Sequence, residues 1–297
     1  MGSGSYTSAD WAKLRKSARL DGASGAQTIF KNRSMDPRFD PRYIGMRESR
    51  DSEDHPESTS IILGFDVTGS MGYLAEQIAK ESLNETMMKL FSTKPVSDPQ
   101  IMFAAIGDCE DKAPLQVTQF ESDIRIAQQL LDLWLEGCGG DAPEDYQLLW
   151  YFAAKHTSID CFEKRGRKGY LFTIGDADCH KSISSKDIKL IFNDDSRDIV
   201  STELVRAASE RYELFHIHIH KEGYYDPTDL PRILPGRIIT VNKGSLSLLP
   251  EIIVSAMLYC EGRPMDEVLG NWSDKAKPII KQALSGIRVR SKEGISF

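Results

Sequence analysis

From about residue 60 onward, short apolar runs alternate with segments of helical periodicity, and this alternation is the strongest constraint on the fold. The first run, residues 61–65, is apolar apart from one glycine, which is typical of a strand buried on both faces. Alternating strands and helices form a mainly parallel sheet with helices on both faces. We therefore predict an α/β fold with an open, doubly wound, six-stranded sheet. The predicted strands lie at 61–65, 100–106, 115–120, 170–174, 213–220 and 237–241, and the predicted helices at 72–91, 123–135, 146–156, 198–211 and 246–261.

The second and third strands are joined by the turn-rich segment GDCEDKAP at 107–114. Such a connection predicts two adjacent antiparallel strands, so one strand of the otherwise parallel sheet is expected to be reversed. Ligands of an open α/β sheet lie beyond the carboxyl ends of its strands. The loops at that edge are therefore the expected place for function.

Polar segments flank the alternating region. Residues 1–58 are rich in Ser, Gly, Arg and Asp and have helical periodicity only around 11–20, which predicts an extended polar N-terminal arm with one helix. Residues 59–262 form the predicted α/β domain. Residues 263–297 are again more polar and predict a C-terminal helical extension, with its helix near 274–286.

Charge and cysteine content argue against several functional classes. The 37 basic and 44 acidic residues give a net charge of −7, so general attraction to nucleic acid or an anionic membrane surface is not expected. The five cysteines are scattered and never spaced as CxxC, which argues against a disulfide framework or a zinc knuckle. No apolar run approaches the roughly 18 residues that span a bilayer. These features predict a cytoplasmic protein that binds neither nucleic acid nor membrane.

The first strand runs directly into the segment DVTGSMG at 66–72. Asp66, Thr68 and Ser70 occupy alternate positions of a turn with two glycines, so one carboxylate and two hydroxyls can converge there. Hard oxygen ligands of this kind suit Mg²⁺ or Mn²⁺. The alternative is that Ser70 caps the following helix and that Asp66 merely ends the strand.

Two further acidic loops are expected at the same edge. Asp176 comes directly after the strand at 170–174, which is a natural ligand position. Asp141 lies in the Gly-rich loop 139–145 ahead of a helix, where it could face the ion, form a capping box with Glu144, or do both. The predicted divalent-metal site consists of Asp66, Thr68, Ser70, Asp176 and Asp141.

In these loops the sequence resembles the von Willebrand factor type A domain, in its bacterial type. The family signature D-x-S/T-x-S follows the first strand, and FDVTGSMG at 65–72 matches it in full. The family's last metal-loop aspartate matches Asp176 in FTIGDAD. The resemblance covers about 60–262. It implies a Rossmann-like fold with a reversed third strand, and a metal-ion-dependent adhesion site where a divalent cation binds a carboxylate of a partner protein.

One departure from the family pattern concerns the second metal loop. In adhesion members that loop supplies a threonine ligand, whereas residues 138–145 contain no threonine and Asp141 is the nearest substitute. A third carboxylate at the ion would weaken its bond to a partner's carboxylate. Our hypothesis is that Asp141 lies in the outer shell and binds the ion through water.

Two other groups of polar residues have open interpretations. His216, His218 and His220 alternate with isoleucines and so point to one face of a strand. They fit either metal chelation or, since no nearby Cys or Glu completes a ligand set, a packed and hydrogen-bonded group. The acidic turn at 108–111 fits either a role at the metal site or a solvated loop.

Three functional classes remain after this reading of the motifs. The leading one is a metal-dependent protein-binding module without catalytic activity. The second is a structural or assembly subunit whose segments 1–58 and 263–297 wrap neighbouring chains. The third is a metal-dependent hydrolase with Asp66 as nucleophile. Against it, Thr68 stands where a haloacid-dehalogenase-like enzyme has its second aspartate, and the G-x-S-x-G, phosphate-loop and H-E-x-x-H motifs are absent.

Overall fold

The computed structural model describes residues 6–20, 25–137, 143–223 and 225–289. Its strands, in chain order, are β1 (Arg47–Ser49), β2 (Thr59–Asp66), β3 (Pro99–Ile106), β4 (Leu115–Val117), β5 (Thr157–Ile159), β6 (Gly169–Gly175), β7 (Ser182–Ile183), β8 (Ile199–Val200), β9 (Tyr212–His220) and β10 (Ile238–Asn242). Its α-helices are α1 (Ser8–Ala18), α2 (Ala26–Ile29), α3 (Gly72–Gln77), α4 (Leu83–Thr93), α5 (Arg125–Leu131), α6 (Gln147–Lys155), α7 (Asp160–Glu163), α8 (Ser185–Phe192), α9 (Ser201–Arg211), α10 (Leu230–Ile233), α11 (Leu249–Cys260), α12 (Met265–Gly270) and α13 (Ala276–Leu284). Short 3-10 stretches lie at Pro41–Tyr43, Gly69–Met71 and Lys243–Leu248, and a π-helical stretch at Ile78–Ser82.

Six of the strands form one open sheet in the order β10-β9-β6-β2-β3-β4. Neighbouring strands are parallel except for β4, which runs antiparallel to β3. Each of the six predicted strand positions overlaps one of these strands. The predicted α/β class, the six-stranded sheet and its reversed third strand are therefore confirmed.

Helices cover both faces of this sheet. Every residue of β2, β3 and β6 is buried, which explains why their sequences are almost continuously apolar. Along β2, Ile61, Leu63 and Phe65 pack on one face and Ile62 packs on the other. The first face is covered by α3, α4, α5, α11 and α13, and the second by α6, α8 and α9. Since both faces are closed, the loops at the strand ends are the open part of the fold.

The described residues outside 59–262 also contribute to the core. Helix α1 begins after Thr7, whose hydroxyl accepts a hydrogen bond from the N–H of Asp10, and it buries Trp11 on the first face of the sheet. Helix α13 buries Ile280 on the same face. The three-part division stays a prediction, but the described parts of both outer segments pack on the central domain.

Two small ladders lie outside the main sheet. β1 pairs in parallel with β5, and β7 pairs antiparallel with β8. The first ladder ties the N-terminal segment to the chain that follows α6. Within the described ranges, no helix has both the length and the apolar character needed to cross a lipid bilayer.

Candidate metal centre

The predicted metal loops meet at the carboxyl edge of the parallel sheet. Asp66 is the last residue of β2, and Asp176 directly follows β6. Asp108 comes two residues after the end of β3. Because β2 pairs in register with both β6 and β3, the three strand ends lie side by side. Three carboxylates from three neighbouring strands therefore reach the same edge.

Asp66 is fully buried at this edge. Its Oδ1 accepts a hydrogen bond of 2.8 Å from the backbone N–H of Thr68, whereas its Oδ2 is buried without a hydrogen-bond partner among the described residues. Burial raises the pKa of Asp66 to about 7; the hydrogen bonds from Thr68 act against this increase, and the charges of Asp176 and Asp108 add to it. A buried carboxylate oxygen without a partner is costly, so this atom is suited to receive a cation.

Glu144 lies against the metal-loop threonine. The hydroxyl of Thr68 donates a hydrogen bond of 3.3 Å to Oε1 of Glu144, and both side chains are buried. Burial raises the pKa of Glu144 to about 9, and the charges of Asp66 and Asp108 add to the increase. Glu144 is thus a fourth acidic group at the edge, beside a hydroxyl that was predicted as a ligand.

Neither Glu144 nor Ser70 lies at the start of an α-helix in the way that the two capping alternatives require. Helix α6 has Tyr146 as its N-cap, so Glu144 lies ahead of the helix and outside any capping box. Asp141 lies outside the described residues. The N-cap of α3 is Met71 rather than Ser70; the backbone of Ser70 lies in the 3-10 stretch after β2, and its side chain is not among those described.

The loop before α6 is hydrogen-bonded to the loop after β6. The N–H of Glu144 donates to the carbonyl of Asp178 at 2.8 Å, and the N–H of His180 donates to the carbonyl of Glu144 at 3.2 Å. These two bonds fix the Glu144 loop beside Asp176. Glu144 is therefore joined directly to the loop that carries Asp176.

Asp178 has a structural role in the same loop. Its carboxylate accepts hydrogen bonds from the backbone N–H groups of Thr228, Asp229 and Leu230, at 2.7–2.8 Å. Burial acts to raise the pKa of Asp178, but these backbone N–H groups outweigh it and hold the pKa below its ordinary value. Asp178 thereby clamps the loop between β9 and α10 onto the loop after β6.

The side chain of Tyr146 packs against Gly175, the residue before Asp176. A Cβ atom on Gly175 would lie 1.9 Å from the hydroxyl oxygen of Tyr146, so only glycine fits at this strand end. The Tyr146 ring is fully buried and packs 4.6 Å from the ring of His216. The close approach of α6 to β6 thus depends on the glycine that precedes Asp176.

Cationic side chains approach the edge from the other side. The ammonium of Lys221 forms an ion pair with the carboxylate of Asp176. The ammonium groups of Lys221 and Lys243 lie 5.5 and 4.2 Å from the centre of the Tyr73 ring. Lys221 directly follows β9, and its positive charge partly balances the negative charges of the carboxylates at this edge.

The structure thus brings together Asp66, Thr68 and Asp176 of the predicted ligands and adds Glu144 to them. Within the described ranges, the carboxylates of this edge do not include three whose ligand atoms all lie within 4.8 Å of one another. Glu144 lies in the same loop, 139–145, as the predicted ligand Asp141, so the sequence already placed this acidic residue near the site. The contact of Lys221 with Asp176 had no sequence signal, because it joins two loops that are distant in sequence.

The three alternating histidines of β9 have different surroundings. His216 is fully buried, its Nδ1 lies 3.0 Å from the hydroxyl oxygen of Thr173, and burial lowers its pKa to about 3. The packed, hydrogen-bonded alternative therefore describes His216. His218 and His220 instead face Asp226, which the sequence pattern did not connect with them.

No protein-family model and no curated protein matches the chain. Solved structures match it at low identity. The pilus adhesin SpaC from Lactobacillus rhamnosus GG has 9% identity and a TM-score of 0.45, over 71% of this chain and 32% of that one. A von Willebrand factor type A protein from Catenulispora acidiphila has 11% identity and a TM-score of 0.44, over 79% and 52% of the two chains. Proximal thread matrix protein 1 from the mussel byssus, with zinc in its metal-ion-dependent adhesion site motif, has 12% identity and a TM-score of 0.43, over 68% and 48%.

These likenesses carry no argument about function, because their TM-scores lie below 0.5. The chain spans from about a third to about half of the length of these structures. Its own sheet order supports the fold assignment directly. Six strands with a reversed third strand are the arrangement that the resemblance to the von Willebrand factor type A domain implies. The chain therefore has a von Willebrand factor type A-like fold.

Proposed function

We propose that the chain is a metal-dependent protein-binding module. In this proposal a divalent cation, Mg²⁺ or Mn²⁺, binds at the end of β2 and accepts a carboxylate from a partner protein. The observation that supports it most is the buried Oδ2 atom of Asp66, which has no hydrogen-bond partner among the described residues. The proposed ligand set is that of the sequence: Asp66, Thr68, Ser70 and Asp176, with Asp141 in the outer shell.

The donor atoms at this edge fit such an ion. Oxygen atoms of carboxylates and hydroxyls are the ligands that Mg²⁺ prefers. Asp66, Asp108, Glu144 and Asp176 bring four acidic groups together, and burial and mutual repulsion raise the pKa values of Asp66 and Glu144. A divalent cation would relieve this repulsion. When bound, the ion supplies a Lewis-acidic position for the partner's carboxylate; Asp66 and the hydroxyl of Thr68 would hold it at the strand end.

Thermal unfolding with and without Mg²⁺ tests the proposal. A ligand that binds only the folded state, at a free concentration of about 100 times its Kd, stabilises a protein by about 2.7 kcal/mol. We therefore expect Mg²⁺ to raise the melting temperature clearly. Asp66→Ala should abolish this increase and also the capture of the partner in the presence of Mg²⁺. The matched control is Asp274→Ala, since the side chain of Asp274 is 95% exposed and forms an ion pair with Lys277 on the same surface. An Asp66→Ala variant that keeps the Mg²⁺-dependent increase would refute the proposal.

Absence of catalysis is part of this proposal. The hydrolase alternative is tested by phosphatase turnover of p-nitrophenyl phosphate with Mg²⁺. We expect no turnover above that of the Asp66→Ala variant. Turnover that disappears in this variant would favour the hydrolase instead.

The assembly alternative concerns the outer segments. The burial of Trp11 and Ile280 in the main core favours a role of these segments in the stability of the fold. Size-exclusion chromatography of the full chain and of a shortened chain, residues 59–262, tests the alternative. A different oligomeric state of the shortened, folded chain would favour an assembly subunit.

We also propose a cytoplasmic location. The described cysteines are free, and two of them, Cys161 and Cys179, are buried as thiols. Free buried thiols suit a reducing compartment.

A further inference from the structure

The chain carries a second group of metal-ligand side chains, at the end of β9. His218 and His220 are two residues apart on one strand, so their side chains lie on the same face. The loop after β9 turns at Gly223, whose φ of 85° favours glycine, and brings Asp226 back to these histidines. Within the described ranges, these three residues form a group of His and Asp side chains whose ligand atoms, one from each residue, all lie within 4.8 Å of one another.

We propose that His218, His220 and Asp226 form a binding site for Zn²⁺ or a chemically similar transition-metal ion. This site is separate from the oxygen site at Asp66 and does not rest on the function proposed above. It goes beyond the sequence pattern, in which no acidic residue accompanied the histidines. The loop after β9 supplies that residue.

The distances between the ligand atoms fit one shared ion. Nδ1 of His220 lies 2.9 Å from Oδ1 of Asp226, and Nε2 of His218 lies 3.9 Å from the same oxygen. Atoms that bind one tetrahedral zinc ion at about 2.0–2.1 Å lie about 3.3 Å apart. The two distances are on either side of this value. All three ligand atoms lie within 4.8 Å of one another, so side-chain shifts of less than about 1.5 Å would bring them to the spacing of one tetrahedral ion.

A simple hydrogen-bonded pair accounts for only part of this geometry. The distance between His220 and Asp226 is that of a hydrogen bond, but 3.9 Å from His218 to Asp226 is too long for one. The side chain of His218 is only 4% exposed, and its Nε2 is the nitrogen that faces the carboxylate of Asp226. A nearly buried imidazole thus faces a carboxylate oxygen without bonding to it. A bound ion between the two would explain why it is held there.

The type of ligand selects the type of ion. Two imidazole nitrogens and one carboxylate oxygen suit Zn²⁺, Co²⁺ or Ni²⁺, whereas Mg²⁺ prefers oxygen atoms alone. The ion can reach the site from solvent, because the side chain of Asp226 is 73% exposed and that of His220 is 34% exposed. Three protein ligands leave a fourth tetrahedral position open to water or to a partner side chain. Tyr225, the residue before Asp226, is 99% exposed, which also leaves this position open to solvent.

Titration of the full chain with Zn²⁺, after treatment with EDTA and dialysis, tests the proposal. A chromophoric chelator in competition reports affinity and stoichiometry, and the visible absorption of bound Co²⁺ reports tetrahedral coordination. His220→Ala should weaken Zn²⁺ binding at this site by about 100-fold or more, because even the loss of an outer-shell partner of a metal ligand costs about 10- to 100-fold. The tetrahedral Co²⁺ spectrum should disappear with it.

Two further variants separate this site from its surroundings. His180→Ala removes another histidine at the same sheet edge and should leave Zn²⁺ affinity unchanged. Asp66→Ala removes the oxygen site and should leave the tetrahedral Co²⁺ spectrum intact, so the two metal proposals fail independently. His220→Gln serves in place of His220→Ala if thermal unfolding shows that the alanine variant does not fold. A Zn²⁺ affinity that is the same in the wild type and in the folded His220 variant would overturn the proposal, as would a Co²⁺ complex without a tetrahedral spectrum.

Discussion

Replacing Asp66 by asparagine should stabilise the metal-free protein. The pKa of Asp66 is about 7 in the folded chain and about 3.8 in the unfolded chain, so at intermediate pH the folded state holds a proton that the unfolded state has released. Stability therefore falls as pH rises through this interval. Asparagine has the same shape and no proton to lose. The free energy of unfolding of Asp66→Asn should therefore not fall with pH on account of residue 66.

The size of the effect follows from the two pKa values. Each pH unit inside the interval costs about 1.4 kcal/mol, less near its ends, which gives about 2 kcal/mol between about pH 5 and about pH 7. This value is an upper figure, because rearrangement of the buried groups reduces it. Glu144 also lowers the stability of the fold as pH rises, since burial raises its pKa to about 9. The charge of Asp66 contributes to that increase, so the substitution relieves Glu144 as well.

His216 titrates in the opposite direction. Burial lowers its pKa to about 3, from 6.5 in the unfolded chain, so its contribution to stability increases as pH rises from about 3 to about 6.5. Between about pH 5 and about pH 7 it contributes about 2 kcal/mol, nearly as much as Asp66 takes away. The pH profile of the wild type alone is therefore uninformative. The difference between the wild type and Asp66→Asn isolates the carboxylate.

Urea unfolding of both proteins in EDTA, at about pH 5 and about pH 7, measures this difference. We expect Asp66→Asn to be more stable than the wild type at the higher pH, with a gap that narrows at the lower pH. Added Mg²⁺ should stabilise the wild type and not the variant. A variant that is less stable than the wild type at the higher pH, without metal, would refute the reasoning from burial and repulsion.

Three further substitutions test the packing around the site, each by urea unfolding. Gly175→Ala should lower the free energy of unfolding by at least about 1–3 kcal/mol, since the new Cβ would lie 1.9 Å from the hydroxyl oxygen of Tyr146. The control is Gly45→Ala, whose Cβ would have no atom within 4 Å and which should change the free energy of unfolding by less than about 1 kcal/mol. Equal effects of the two substitutions would contradict the close approach of Tyr146 to Gly175. Asp178→Ala removes the acceptor of four backbone N–H groups, those of Cys179, Thr228, Asp229 and Leu230, and should cost about 2–3 kcal/mol; an unchanged midpoint would show that the clamp contributes nothing. Trp11→Ala should cost about 3 kcal/mol if the N-terminal helix is part of the core, and almost nothing if the segment acts as a free arm.

Most of the sheet was predictable because its strands are buried on both faces. The runs that became β2, β3 and β6 are nearly all apolar, and burial on both faces is what produces such a pattern. The strands of the two small ladders have two or three residues each, too few for a periodic signal. Helix α8, capped by the hydroxyl of Ser184, was also missed, although it is amphipathic.

The candidate site was predictable only where a ligand follows a strand. Asp66 and Asp176 follow strands whose ends must meet at one edge of a parallel sheet. Asp226 lies in a loop after β9, and its approach to His218 depends on the turn at Gly223 and on the clamp made by Asp178. Such contacts between loops leave no periodic trace in the sequence.

The order of strands in the sheet has a consequence for how the chain folds. β2 lies between β3, which follows it closely, and β6, which begins about 100 residues later. Parallel pairing over such a separation closes a large loop before it gains any contact, which makes folding slow. During synthesis, β2 leaves the ribosome well before its second neighbour exists. During synthesis Asp66 can meet Asp176 only after β6 has been made, so we expect an ion bound at this edge to slow unfolding of the folded chain rather than to speed its folding.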